Sequence, residues 1–97
     1  MQNNPDFENK EVYKLKLYVA GASPNSLKAI SNIKKICEKH LRDRYELEVI
    51  DVHQQPSIAQ TEQIIALPLL IKKYPLPERQ FVGDMSDTAQ VLRGFGI

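Results

Sequence analysis

The sequence has little of the residue types on which several common protein chemistries depend. Of its 97 residues only Cys37 is a cysteine, and only four are glycines. One cysteine excludes an internal disulfide and a two-cysteine redox centre, and it indicates a reducing cytoplasm. A phosphate-binding P-loop needs several glycines and a lysine, which Gly21 alone does not supply. No window approaches the roughly 20 apolar residues that span a bilayer.

The charge balance is also uninformative about a polyanionic partner. Thirteen basic residues against 12 acidic ones leave a net charge of +1. This balance gives no reason to expect nucleic acid or a membrane as partner. The length predicts one domain. We expect a flexible polar tail over residues 1–12, which lacks the apolar core of a secretory signal, and a single domain over residues 13–97.

The first half of the chain predicts a strand, a helix and a second strand. Residues 14–20 alternate, with Leu15, Leu17 and Val19 on one face. Ser23 suits a helix N-cap and Pro24 the first helical position. The apolar stripe expected on this helix is Leu27, Ile30, Ile33, Cys37 and Leu41. Residues 45–52 form the second strand, parallel to the first because a helix connects them.

The second half predicts a short helix, two strands and a last helix. Pro56 opens a helix over residues 57–65, which Leu67-Pro68 ends. Strands follow over residues 69–73 and 79–82, and Ser86 and Asp87 start a helix that ends near Gly94. The order predicts a thioredoxin-like βαβαββα fold, a mixed sheet with helices on both faces. That fold places a cis-proline at Pro68, so we infer the cis isomer.

The residues at the first strand-to-helix turn argue against redox chemistry. Ser23 and Ser26 occupy the positions of a Cys-x-x-Cys pair, and a serine hydroxyl cannot form a disulfide. Cys37 lies in the middle of the helical stripe and is interpreted as a small buried hydrophobe. His40 and His53 lack metal-ligand spacing. Asp51 and Asp84, near strand ends, are interpreted as loop-capping residues. We therefore expect a binding module without catalytic residues, cofactor or metal.

Several short motifs follow one another in the order and spacing of a known family. They are KLYVAG (16–21), SPNS (23–26), VIDV (49–52), the helix at Pro56, ALPLL (66–70), LPE and VGDMSD (82–87). From Leu15 to Gly94 the chain resembles the KaiB family of circadian clock proteins. The resemblance implies a protein that binds the ATPase ring of KaiC, recruits KaiA and displaces a clock histidine kinase. It also implies an alternative βαββααβ packing that assembles as a tetramer.

Two sets of residues follow as expectations. Charged side chains expected at the surface are candidates for partner binding: Lys28, Glu46, Glu48, Lys72 and Arg79. Candidates for structural or fold-switch roles are Ser23, Pro24, Pro68, Gly83, Asp84 and Gly94. The chain departs from the clock pattern at Glu46 and Glu48, where clock members tend to show a small residue and then lysine. It also departs in the last helix, where Gly94-Phe95-Gly96 replaces Gly-Leu-Asp.

Three functions follow from these observations. The first is a non-enzymatic regulator of a KaiC-like ATPase in a clock or a clock-derived stress or signalling system. We expect a homo-oligomer, dimer or tetramer, in the free state. The second is an adaptor or sensor for a histidine kinase phosphorelay or another signalling protein. The third, a thioredoxin-type redox enzyme, is disfavoured by the serines.

Overall fold

The computed structural model describes residues 11–64 and 66–97. Its elements are β1 (Tyr13–Val19), α1 (Pro24–His40), β2 (Tyr45–Asp51), α2 (Pro56–Thr61), β3 (Leu69–Tyr74), β4 (Arg79–Val82) and α3 (Thr88–Phe95). The predicted order of elements is confirmed. The expected tail lies outside the described residues except for Glu11 and Val12, both of which are exposed.

The described strands form one mixed sheet in the order β2-β1-β3-β4. β1 pairs in parallel with β2, with Leu17 opposite Val49. It pairs antiparallel with β3, with Leu17 opposite Leu70. β3 and β4 are antiparallel, as expected for strands joined by a short proline-containing turn. β1 and β3 are therefore central, and β2 and β4 are the edges.

Apolar side chains cover both faces of the sheet. On one face Leu15, Leu17 and Leu70 pack with residues of α1 and α3, including Ile33 and Phe95. On the other face, residues of all three longer strands and the start of α2 form a second cluster: Tyr18, Ile50, Val52, Leu69 and Ile71, with Ile58 and Ala59 against them. The predicted sheet with helices on both faces is confirmed.

The start of α1 agrees with the prediction, but its buried stripe does not. Ser23 is the N-cap and Pro24 the first helical residue. Leu27, predicted to be buried, is 54% exposed, whereas Ser26 and Ala29 are fully buried. The first turn lies against the end of β1, where the Ala20 N–H donates to Ser26 Oγ (3.1 Å). Small side chains fit this close approach, and Leu27, one position further round the helix, points outward.

The helix predicted over residues 57–65 ends at Thr61. Gln63 has φ of 55° and leaves the right-handed helical region. The N–H of Gln63 donates to the carbonyl of Gln60, and that of Ile64 to the carbonyl of Ala59. These bonds form a Schellman motif with glutamine where glycine is usual, so the pattern offered no stop signal. The Leu67–Pro68 bond is cis, as inferred, and the Tyr74–Pro75 and Leu76–Pro77 bonds are also cis.

Candidate functional site

The turn between β1 and α1 carries two hydroxyls that bond to each other. Ser23 Oγ donates to Ser26 Oγ over 2.8 Å. Ser23 Oγ also accepts from the Ser26 N–H (3.3 Å), which caps the helix. Ser26 Oγ accepts the Ala20 N–H and is fully buried. Among the described residues neither hydroxyl bonds to a histidine or a carboxylate that could act as a base, so both have structural roles.

The thiol of Cys37 is separate from this turn. It lies in the core with no exposed surface. Burial, with a smaller contribution from Glu38, raises its pKa to about 12. A thiol with this pKa is protonated at neutral pH and is neither a nucleophile nor a metal ligand. The prediction of a small buried hydrophobe is confirmed.

Asp51 joins the carboxyl ends of the two parallel strands. Its Oδ1 accepts the N–H of His53 (2.9 Å) and of Gly21 (3.0 Å). These bonds, that of His53 foremost, lower the pKa of the Asp51 carboxyl. Gly21 has φ of 58°, and a Cβ there would lie 3.3 Å from His53 Nδ1. The predicted capping role of Asp51 is confirmed.

The described part of the chain contains neither a cluster of metal ligands nor a membrane-spanning helix. Over residues 11–64 and 66–97, no three histidine, cysteine, aspartate or glutamate side chains are grouped so that they could hold a metal ion. None of the helices in those ranges has the length and apolarity needed to cross a membrane.

The predicted partner-binding residues do not form one patch. Glu46 and Glu48 are exposed on β2, where Glu46 lies 3.6 Å from Lys14 Nζ. Arg79 is exposed on β4, at the opposite edge of the sheet. Lys28 is exposed on α1, and its charge helps to lower the pKa of Asp84 after the two bonds from Ser86. Any partner that contacts all of them must reach across the sheet.

Lys72 was expected at the surface, and this expectation is wrong. It is only 3% exposed. Lys72 pairs with Leu15 and follows Leu70 by two residues, so its side chain starts on the face that α1 and α3 cover. It lines a groove of about 520 Å³ together with Tyr13, Arg79 and Arg93. The alternation of β3 could have identified this orientation from the sequence.

The candidate switch residues of the C-terminal half lie in close contacts. The Gly83 N–H donates to the Pro68 carbonyl (3.0 Å). The Asp84 carbonyl accepts Asn32 Nδ2 (2.8 Å), which ties this turn to α1. The Asp84 carboxylate caps Ser86 (3.0 Å), so its predicted role as a loop cap is confirmed.

Gly94 is a position in α3 where a larger residue would collide with a neighbouring aromatic ring. A Cβ on Gly94 would overlap Cζ and Cε2 of the Phe81 ring. The Phe81 ring packs edge-on against Phe95, with 5.8 Å between the ring centroids. Close approach of α3 to β4 therefore depends on glycine at this position.

Comparison with known proteins identifies the family. The KaiB domain family matches residues 16–97. The chain is 44% identical over 88 residues to the circadian clock oscillator protein KaiB of Prochlorococcus marinus subsp. pastoris, covering 91% of this chain and 82% of that protein. It is 47% identical over 83 residues to the circadian clock protein KaiB3 of a Synechocystis species, covering 86% and 81%. The chain belongs to the KaiB family.

Solved structures confirm the thioredoxin-like fold of this KaiB-family chain. The N-terminal domain of Synechococcus elongatus SasA superimposes with a TM-score of 0.71 at 23% identity, over 88% of this chain and 80% of that one. Chloroplastic thioredoxin z gives a TM-score of 0.72 at 18% identity, over 98% and 88%. This KaiB-family chain has Ser23 and Ser26 where a thioredoxin needs its thiols.

Proposed function

We propose that this protein is a non-enzymatic regulator that binds a KaiC-type ATPase, in a circadian clock or a clock-derived stress or signalling system. One observation carries the proposal. In a KaiB-family chain with a thioredoxin-like fold, the turn that would hold redox thiols holds Ser23 and Ser26 bonded to each other. With Cys37 buried, the described residues offer binding surfaces and no reactive thiol. The free thiol also supports a cytoplasmic location.

The β2 edge is our first candidate for the contact with the ATPase. It presents Glu46 and Glu48 together with Val49, which is 41% exposed. An edge strand offers unpaired backbone groups to a partner, and its charges select which partner fits. Lys28 on α1 and Arg79 on β4, both exposed, are proposed as further contacts.

We also propose that the thioredoxin-like packing is the form that binds. The alternative βαββααβ packing would be the form in a free homo-oligomer, a dimer or tetramer. Two packings coexist only when they differ by a few kcal/mol, and a partner that binds one of them shifts the population. The C-terminal contacts of Pro68, Gly83, Asp84 and Gly94 are those that the exchange would break.

The test is a titration against the KaiC-type ATPase of the same genome, followed by size-exclusion chromatography after hours of incubation. We expect a complex, and we expect Glu48→Lys to change its Kd at least tenfold because the charge at the edge is reversed. Glu62 is an exposed glutamate beyond the end of α2. Glu62→Lys is therefore the matched control and should leave Kd within twofold. Absence of a complex after long incubation would contradict the proposal.

Three further measurements test the alternatives. Capture of a histidine kinase or receiver protein, without capture of the ATPase, would favour the adaptor function. Insulin reduction that survives Cys37→Ala would show a redox activity that the serines argue against. An NMR spectrum with a size measurement at the same concentration determines which packing the free protein adopts.

A further inference from the structure

A cationic groove lies beside the β3–β4 turn, at the end of α3. Its volume is about 520 Å³, and the ionisable side chains that line it are Glu11, Tyr13, Lys72, Tyr74, Arg79 and Arg93. Among these side chains of the described residues, three are cations and one, Glu11, is an acid. The groove is therefore positive in a protein whose net charge is only +1.

Lys72 is the buried member of this group. It is 3% exposed, and in residues 11–64 and 66–97 its Nζ forms no hydrogen bond or ion pair. Burial lowers the pKa of Lys72, the charge of Arg79 lowers it further, and Glu11 opposes the change. A buried ammonium group is unfavourable unless nearby charges and hydrogen bonds compensate for the lost water, and Glu11 compensates only in part, so a bound anion would stabilise Lys72.

The other groups in the groove fit an oxyanion. Arg79 and Arg93 are exposed and come from β4 and α3, on two sides of the opening. A guanidinium donates two parallel hydrogen bonds to a phosphate or carboxylate, while a lysine acts as a point charge. The exposed Glu11 carboxylate accepts from Tyr74 Oη at 3.4 Å and offsets one of the three positive charges of the groove. Three cations therefore suit a doubly charged group better than a single carboxylate.

We propose that this groove is a binding site for the phosphate group of a small phosphorylated ligand. Lys72 is the buried cation, and Arg79 and Arg93 hold the phosphate oxygens at the opening. Tyr74, which is 42% exposed, lines the same groove and offers a flat surface to the rest of the ligand. The site does not depend on the proposed ATPase partner, since its argument uses only the groove.

The test is an NMR titration of the full chain with inorganic phosphate at pH 7.5 and constant ionic strength, with acetate as the comparison anion. We expect saturable shifts at Lys72, Arg79 and Arg93 with phosphate and at least tenfold weaker binding of acetate. Phosphate should also raise the pKa of Lys72, read from its side-chain Cε and Nζ signals, because a bound anion favours the ammonium. Equal affinity for acetate, or shifts that never saturate, would overturn the proposal.

Variants locate the site. Lys72→Met and Arg79→Gln should each weaken phosphate binding at least tenfold, because each removes a charge-assisted contact. Lys34→Met and Arg42→Gln, exposed and outside the groove, should leave Kd within twofold. If Lys72→Met fails to fold, Arg79→Gln and Arg93→Gln decide the matter, and unchanged binding in both would overturn the proposal.

A second titration identifies the source of the phosphate. A nucleoside diphosphate that binds at least tenfold more tightly than inorganic phosphate, and shifts Tyr74, supports a nucleotide ligand in the groove. Equal affinities support recognition of the phosphate group alone. No saturable binding of either compound would refute the site.

Discussion

Replacing Gly94 by alanine should destabilise this protein, although alanine is the better helix former. Gly94 lies in α3, where alanine would contribute about 1 kcal/mol of helix propensity. The new methyl group, however, would overlap two atoms of the Phe81 ring. That ring is 7% exposed and packs against Phe95, so moving it aside would disturb a buried contact.

The magnitude follows from these two opposing effects. Overpacking of a core costs about 1–3 kcal/mol, and overlap with two ring atoms places this site near the upper end. After the gain in helix propensity, the net loss should be about 2 kcal/mol. For a domain of this size, the corresponding fall in Tm is about 10 °C.

Urea unfolding, followed by circular dichroism, measures this loss. Lys34 is exposed in the middle of α1. The difference in unfolding free energy between Lys34→Ala and Lys34→Gly therefore measures the difference in helix propensity without a packing contact. The decisive comparison is Gly94→Ala in a Phe81→Leu background, where both overlapped ring atoms are gone. There the alanine should stabilise by about 0.5–1 kcal/mol. Destabilisation of equal size in both backgrounds would refute the steric argument.

Three further predictions concern polar groups. Tyr13→Phe removes the buried 2.8 Å bond from Tyr13 Oη to the Phe95 carbonyl and should lower the free energy of unfolding by about 1–2 kcal/mol, measured with urea. The folded-state pKa of Asp51 is lowered, so its carboxylate contributes to the free energy of unfolding. That contribution is complete above the unfolded-state pKa and disappears as the pH falls through the folded-state pKa. The free energy of unfolding of Asp51→Asn should therefore fall less steeply with decreasing pH than that of the parent chain, with Asp43→Asn as control. Cys37, with a pKa of about 12 and no exposed surface, should not react with a thiol reagent at pH 8 until urea unfolds the chain. Reaction of the native thiol at the rate of the unfolded one would contradict its burial.

Local patterns were sufficient for most of the fold. The alternation of residues 14–20 gave both the strand and its two faces, because a side-chain period of two leaves little choice of orientation. Ser23 and Pro24 located the start of α1 through hydrogen bonding that depends only on neighbouring residues. The predicted limits of β4 agree with the structure because proline and glycine bound that strand.

The errors at Leu27 and Lys72 have a common physical origin, which is contact between different elements of the fold. Leu27 is exposed because the first turn of α1 lies close to Ala20, and helical spacing alone does not show that approach. Lys72 is buried because β3 is flanked by two strands and covered by helices. Charge alone predicted a surface position, although the position of Lys72 two residues after Leu70 indicated the opposite. The roles of the partner-binding residues stay predictions.

The junction between the two halves of the chain bears on the proposed exchange of packings. Beyond the pairing of β1 with β3, two side chains of the first half donate to backbone carbonyls of the second half among the described residues: Asn32 Nδ2 to Asp84 and Tyr13 Oη to Phe95. Each such bond contributes about 1 kcal/mol, which is a large share of a difference of a few kcal/mol between packings. Both donors lie in the β1–α1–β2 half, and both acceptors are backbone groups of the half that would rearrange. Substitutions at Asn32 and Tyr13 can therefore change the balance between packings while leaving the charged edges of the sheet intact.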